Sequence, residues 1–331
     1  MKNSLRLLIK VGVCLMALCM TFVAVCPTGL AAGMDDDKEG MFDDPGFNDD
    51  ENLCSHYADI VGASLVIGGE IALRYYVDMC DCYKSAKMRF YIGSYVFSAG
   101  SYYDEETKEY IFVTPGIEPH IMAENIKAEL IFEGETVAVK DNYSPIDNCK
   151  NLIDNNYEDI YMQRFIRALM TYGAAVQMYR NYDTDNLMNY GYEIDSAIPY
   201  EEISVKKTEN NDGISIFNAA NVSFDKSNKI TAKITSESKP TVTINGKPAV
   251  VLENGINEWM VQTEGISPID YDKVFLFAIT SNEIPALLTY SINSYTYSKL
   301  YSDDTSMADL AVATYSYGVA AEQYLESLNI N

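Results

Sequence analysis

The chain has 331 residues and carries 48 acidic against 24 basic side chains, a formal charge of −24. Such a surface repels phosphate backbones and anionic lipid, which argues against nucleic acid and membrane surfaces as partners. The length leaves room for two ordinary domains.

The N-terminus predicts export. Lys2, Arg6 and Lys10 form a basic segment, residues 11–25 are an apolar run, and Gly29-Leu30-Ala31 supplies small residues for a cleavage site. A run of that length is short for a bilayer span and right for a secretory leader. Residues 1–32 are therefore read as a signal peptide and the mature protein as secreted, with no membrane span after its removal. The alternative is an uncleaved N-terminal anchor at the outer cell surface. Residues 33–52 are dense in Asp and Glu and nearly free of aliphatic side chains. That composition cannot bury a core and predicts a disordered acidic linker.

Past the leader four cysteines remain, Cys54, Cys80, Cys82 and Cys149. In an exported chain an even number suggests disulfides. Cys80 and Cys82 lie too close in sequence to bond without strain, so each is expected to pair with Cys54 or Cys149. Two alternatives stay open. One is a zinc site joining Cys54-Ser55-His56 to Cys80-Asp81-Cys82, whose one-residue spacings are shorter than zinc motifs normally use. The other is free thiols.

Strand signals come next, at residues 65–67, 71–77, 88–97, 110–113 and 128–132, and again at 242–244, 249–252, 259–261 and 274–279. Asn245-Gly246 is a strong two-residue hairpin turn. Helical periodicity then takes over. Tyr161, Phe165, Ala168, Tyr172, Ala175 and Tyr179 recur at steps of four and three, one stripe of a long helix. Leu310, Ala313, Tyr317, Ala320 and Tyr324 repeat that stripe. Shorter helices are expected near 146–154 and 292–301, and short connections make each pair an antiparallel hairpin.

These features recur in order. Ala63-Ser64-Leu65 corresponds to Val222-Ser223-Phe224, Gly116-Ile117-Glu118-Pro119 to Gly265-Ile266-Ser267-Pro268, Tyr143-Ser144 to Tyr290-Ser291, and Tyr172-Gly173-Ala174-Ala175 to Tyr317-Gly318-Val319-Ala320. The predicted fold is α+β: two tandem diverged copies of a mainly antiparallel β unit, residues 53–192 and 193–331, each ending in an antiparallel helical hairpin. Gly173 and Gly318 are expected to admit close packing. The periodic tyrosines read as core, whereas Tyr102, Tyr103 and Tyr297 lie off the stripe and read as a surface patch.

The helical end Leu169-Met170-Thr171-Tyr172-Gly173-Ala174-Ala175-Val176-Gln177-Met178-Tyr179, with Asn181 to Leu187 after it and Gly62 to Leu65 and Leu73 to Tyr76 upstream, resembles an uncharacterised repeat module. That module occurs in large exported proteins of gut Clostridia. The resemblance covers nearly all of the chain after residue 55. It implies secretion and a non-catalytic accessory or surface role, and it carries no functional residues to transfer.

Chemistry-bearing motifs are sparse. The two histidines are His56 and His120, and a serine or cysteine nucleophile would need one of them within hydrogen-bonding reach. Asp59, Glu70, Glu124 and Glu129 sit singly in or near strands and read as solvated faces. No catalytic, cofactor-binding or metal residues are assigned, and no cofactor is expected. The expected activity is binding of an extracellular protein or glycan. The rival is a polysaccharide-active hydrolase using a pair of carboxylates brought together by the fold.

Overall fold

The computed structural model describes residues 56–105, 107–155, 158–197, 219–281 and 284–330. The expected leader, the acidic linker and Cys54 lie outside the described residues. Eight strands come first: β1 (Ala58–Ile67), β2 (Ile71–Met79), β3 (Lys87–Ile92), β4 (Tyr95–Gly100), β5 (Tyr102–Asp104), β6 (Glu109–Val113), β7 (Ile126–Phe132) and β8 (Glu135–Tyr143). Helices α1 (Pro145–Asn155) and α2 (Ile160–Arg180) follow. Eight more strands come next: β9 (Ala219–Phe224), β10 (Asn228–Thr235), β11 (Thr241–Ile244), β12 (Lys247–Pro248), β13 (Val251–Gly255), β14 (Glu258–Gln262), β15 (Phe275–Ser281) and β16 (Ile284–Tyr290). Helices α3 (Ile292–Lys299) and α4 (Thr305–Ile330) close the chain.

The strands form four antiparallel four-stranded sheets, ordered β1-β2-β6-β5, β4-β3-β7-β8, β9-β10-β14-β13 and β12-β11-β15-β16. The fold is α+β. In β2, Leu73, Tyr75, Val77 and Met79 point inward and are buried, while Arg74, Tyr76 and Asp78 keep contact with solvent, the alternation a pleated strand imposes. The first two sheets face each other across Tyr75, whose ring lies 5.4 Å from Phe90 on β3 and 5.8 Å from Tyr143 on β8.

Local chemistry explains the turns and caps. Asn245 (φ 50°) and Gly246 (φ 78°) join β11 to β12, the two-residue turn with both central residues left-handed. The run 88–97, expected as one strand, is two. Gly93 (φ 54°) reverses the chain after Ile92, and Ile92 then pairs with Tyr95. Ser144 Oγ accepts the Asp147 N–H at 3.1 Å at the start of α1, and Ser291 Oγ accepts the Ser294 N–H at 3.0 Å at the start of α3. Asp159 caps α2 by accepting the Met162 N–H, and left-handed Asn181 ends it.

The two long helices meet at the centre. Phe165 of α2 is stacked between Tyr324 and Tyr317 of α4, at 5.7 Å from each, and Tyr317 stacks in turn on Tyr172 at 5.3 Å. The order 324–165–317–172 alternates between helices and ascends one while descending the other, so α2 and α4 run antiparallel. Tyr161 and Tyr179, at the ends of the stripe on α2, are exposed. A side chain at Gly173 would collide with Met188 and crowd the Pro119 carbonyl, and one at Gly318 would meet the Tyr271 ring at 2.9 Å.

Candidate functional site

Among the described residues, chemistry-bearing side chains gather at the junction of the two halves, at an aromatic sheet edge and at the open end of the β1–β2 hairpin, among other places.

At the junction, Gly69 and Gly265 approach so closely that a Cβ on Gly69 would sit 3.3 Å from the Gly265 carbonyl oxygen. Beside them the Tyr172 hydroxyl donates to Asn228 Oδ1 at 2.8 Å, and Asn228 Nδ2 donates to the Tyr271 hydroxyl. Burial raises the pKa of both phenols, so they stay neutral donors and acceptors. Arg180 at the end of α2 donates to Glu118 Oε2 at 2.7 Å, to Asp225 Oδ1 at 2.6 Å and to the Phe224 carbonyl at 3.0 Å. One guanidinium thus ties the turn before β7 to the β9–β10 turn. The cavity among Gly69, Tyr172, Asn228, Tyr271 and Tyr317 is about 20 Å³. That is room for a single water. The junction is a packed seam with no space for a substrate.

His120 borders this seam. Its ring meets Tyr182 edge-on at 4.9 Å, and its buried Nδ1 lies 3.6 Å from Glu118 Oε2, an ion-pair separation beyond hydrogen-bond reach. Burial first and the Arg180 charge second lower its pKa, so it is a neutral packed imidazole at pH 7. The acids named from sequence are dispersed. Glu129 accepts from Lys127 at 2.6 Å and from the Tyr91 hydroxyl at 2.8 Å, and Lys127 is the main cause of its lowered pKa. Glu124 accepts from the Tyr182 hydroxyl, Glu70 sits under Gly116, and Asp59 faces solvent on β1.

The sheet edge is different. β4 and β5 are terminal strands of two different sheets and follow each other directly in the chain. Tyr95, Val96, Tyr102 and Tyr103 are all exposed on them. Tyr103 lies 5.1 Å from Tyr110 and Tyr95 lies 6.1 Å from Phe97, both pairs tilted. Lys226, from the β9–β10 turn, places its ammonium 4.6 Å from the Phe97 ring centre. Tyr102 and Tyr103 are thus at the surface, as their position off the helical stripe predicts, and Tyr95 is exposed as well. Tyr297 is half-buried on α3.

At the third place the disulfide expectation is corrected. Cys80 and Cys82 are bonded to each other, with their Cα atoms 5.3 Å apart, and Cys149 is buried and free. Extended Cys80 (φ −67°, ψ 152°) leads into the 3-10 turn Asp81–Tyr83, which brings the two sulfurs to the same side. Burial pushes the Cys149 thiol up to about 12, which keeps it protonated and inert in the core of α1. His56 Nδ1 lies 3.2 Å from Cys82 Sγ. Hairpin counting could have found this. Antiparallel pairing pivots on Gly68-Gly69, and Ala58 pairs with Met79, so residue 56 falls beside the Cys-x-Cys. The junction residues Asn228, Tyr271 and Arg180 carry no motif of their own.

Compared with known proteins, the chain matches no family model and no curated protein. Among the described residues, no helix is long and apolar enough to cross a membrane.

Proposed function

We propose that this is an exported, non-catalytic binding module of the cell exterior whose ligand is an extracellular protein or glycan. The observation that carries this reading is the exposure of Tyr95, Val96, Tyr102 and Tyr103 on the edge strands β4 and β5. An edge strand is a template for pairing with another chain, and large rings beside it give that chain apolar surface to cover. Tyr95 is tilted against Phe97 and Tyr103 against Tyr110, so neither pair offers the flat stacked face that a run of sugars would use. The resemblance to the module of exported clostridial proteins supports the same role.

The scaffold reads as two diverged copies of one unit, each closed by an antiparallel helical hairpin. Advancing every strand number of the first two sheet orders by eight yields the other two. The serine caps recur, and so does a buried threonine. Thr114 Oγ1 accepts from the Leu73 N–H at 2.9 Å, and Thr263 Oγ1 accepts from the Ile230 N–H at 3.0 Å.

A glycan array and a peptide display screen, run beside a broad hydrolase panel, test the function. Saturable binding that is lost in the Tyr95→Ala/Tyr103→Ala double variant supports it. Turnover of any glycan that disappears on mutating one pair of acids establishes the hydrolase instead. Export is tested by N-terminal sequencing of protein from the culture medium: a start near residue 33 supports a cleaved leader, and intact Met1 in the membrane fraction refutes it.

A further inference from the structure

Three ligand-bearing side chains converge at the open end of the β1–β2 hairpin. His56 Nδ1, Cys80 Sγ and Cys82 Sγ all lie within 4.8 Å of one another. The backbone fixes this arrangement. The Cys80 N–H donates to the Tyr57 carbonyl at 3.1 Å, which pins the residue after His56 against the first cysteine. The Tyr83 N–H donates to the Cys80 carbonyl at 2.9 Å and closes the turn that carries the second. Tyr83 lies between His56, at 6.0 Å, and Phe132, at 5.1 Å, and so supports the imidazole from the sheet side. Asp81, between the cysteines, is engaged by the Tyr110 hydroxyl at 2.8 Å. Cys80 is buried while His56 is exposed, so the cluster has a packed floor and an open mouth.

The two sulfurs are bonded to each other, which is the oxidised state. An external dithiol can break that bond: its two sulfurs become the disulfide, and Cys80 and Cys82 each receive one electron and one proton. Two thiols and one imidazole then face a common centre. A set of two sulfurs and one nitrogen is the donor chemistry that zinc and other thiophilic cations select. We propose that His56, Cys80 and Cys82 form a redox-gated site for a thiophilic divalent cation, open when the cysteines are reduced and closed when they are bonded. The cation displaces one proton from each thiol and takes the lone pair of His56 Nδ1. Three protein ligands leave the fourth tetrahedral position to water. The acidic surface of the molecule raises the local cation concentration.

The test uses the full chain carrying Cys14→Ser, Cys19→Ser, Cys26→Ser and Cys54→Ser, so that the cysteines before residue 56 contribute nothing. Protein reduced under anaerobic conditions is titrated with Co²⁺, reading the thiolate-to-cobalt charge-transfer band, and then back-titrated with Zn²⁺. About one equivalent bound by the reduced form and none by the oxidised form is expected. Cys82→Ser should abolish the band. His56→Ala, a change at an exposed residue that leaves the strand pairing intact by circular dichroism, should weaken binding by about tenfold or more. No cobalt band in the reduced protein would overturn the proposal. So would binding indifferent to both substitutions, which would assign the cation to the acidic surface.

Discussion

Along α2 and α4, Tyr172, Tyr317 and Tyr324 are buried in a shared stack, whereas along β4 and β5, Tyr95, Tyr102 and Tyr103 are 59%, 48% and 42% exposed. The residue type is the same and the outcome opposite. What differs is whether a second layer covers the face, for Tyr161 and Tyr179 keep the helical period and are exposed. At steps of three and four on a helix, successive rings share one face and can interleave with a second helix. At an edge strand, a ring on the outer face has no neighbouring layer to enter. Position within an element, more than the ring itself, decides whether tyrosine is core or surface.

The sharpest way to break this contrast is alkali. Burial holds the hydroxyls of Tyr172 and Tyr317 well above the ordinary value near 10, and Tyr324 is pushed up to about 12, chiefly by burial. A raised folded-state pKa means that the stabilisation is fully present below about pH 10 and is lost as pH rises toward the folded values. Above about pH 10 the protein should unfold, with phenolate absorbance from the buried rings and loss of helical circular dichroism changing together. Ionisation of those rings with the helices intact would show that the stack is open to solvent.

Single substitutions grade the same contrast. Tyr317→Ala removes the ring between Phe165 and Tyr172, and it should cost about 3–5 kcal/mol in urea denaturation. Gly173→Leu drives a side chain into Met188 and the Pro119 carbonyl, and it should cost about 1–3 kcal/mol. An unchanged melting temperature in that variant would mean that this face yields freely. Tyr172→Phe leaves the ring but strips the donor from buried Asn228 Oδ1, and roughly 1–2 kcal/mol should be lost on thermal or urea melting. Tyr95→Ala, at the exposed edge, should shift stability by roughly 0.5 kcal/mol at most while affecting ligand binding.

The elements with strong local signals were legible in the sequence. The stripe of α2, the Asn245-Gly246 turn and the packing glycines each follow from a few neighbouring residues. What the stripe packs against was not legible, because its partner lies far along the chain on α4 and one helix's period does not name another. Strands β5, β9, β10 and β16 also fall outside the expected runs, and β8 was missed for a different reason. Its side chains are exposed or half-buried, so it carries no clean alternation of apolar residues. At the hairpin end, spacing misled. Two cysteines separated by one residue are poorly placed in a regular strand, but the turn at Asp81 changes the direction of the chain between them.

The interleaved rings also limit how this protein can vary. Phe165 touches two tyrosines of the other long helix, so a change of volume at 165 is felt at 317 and 324 at once. Substitutions on opposite sides of such a contact are non-additive, and a loss on one helix can be offset only by a matched gain on the other. Among related sequences, these positions should therefore change in concert, while the outer sheet faces drift one residue at a time.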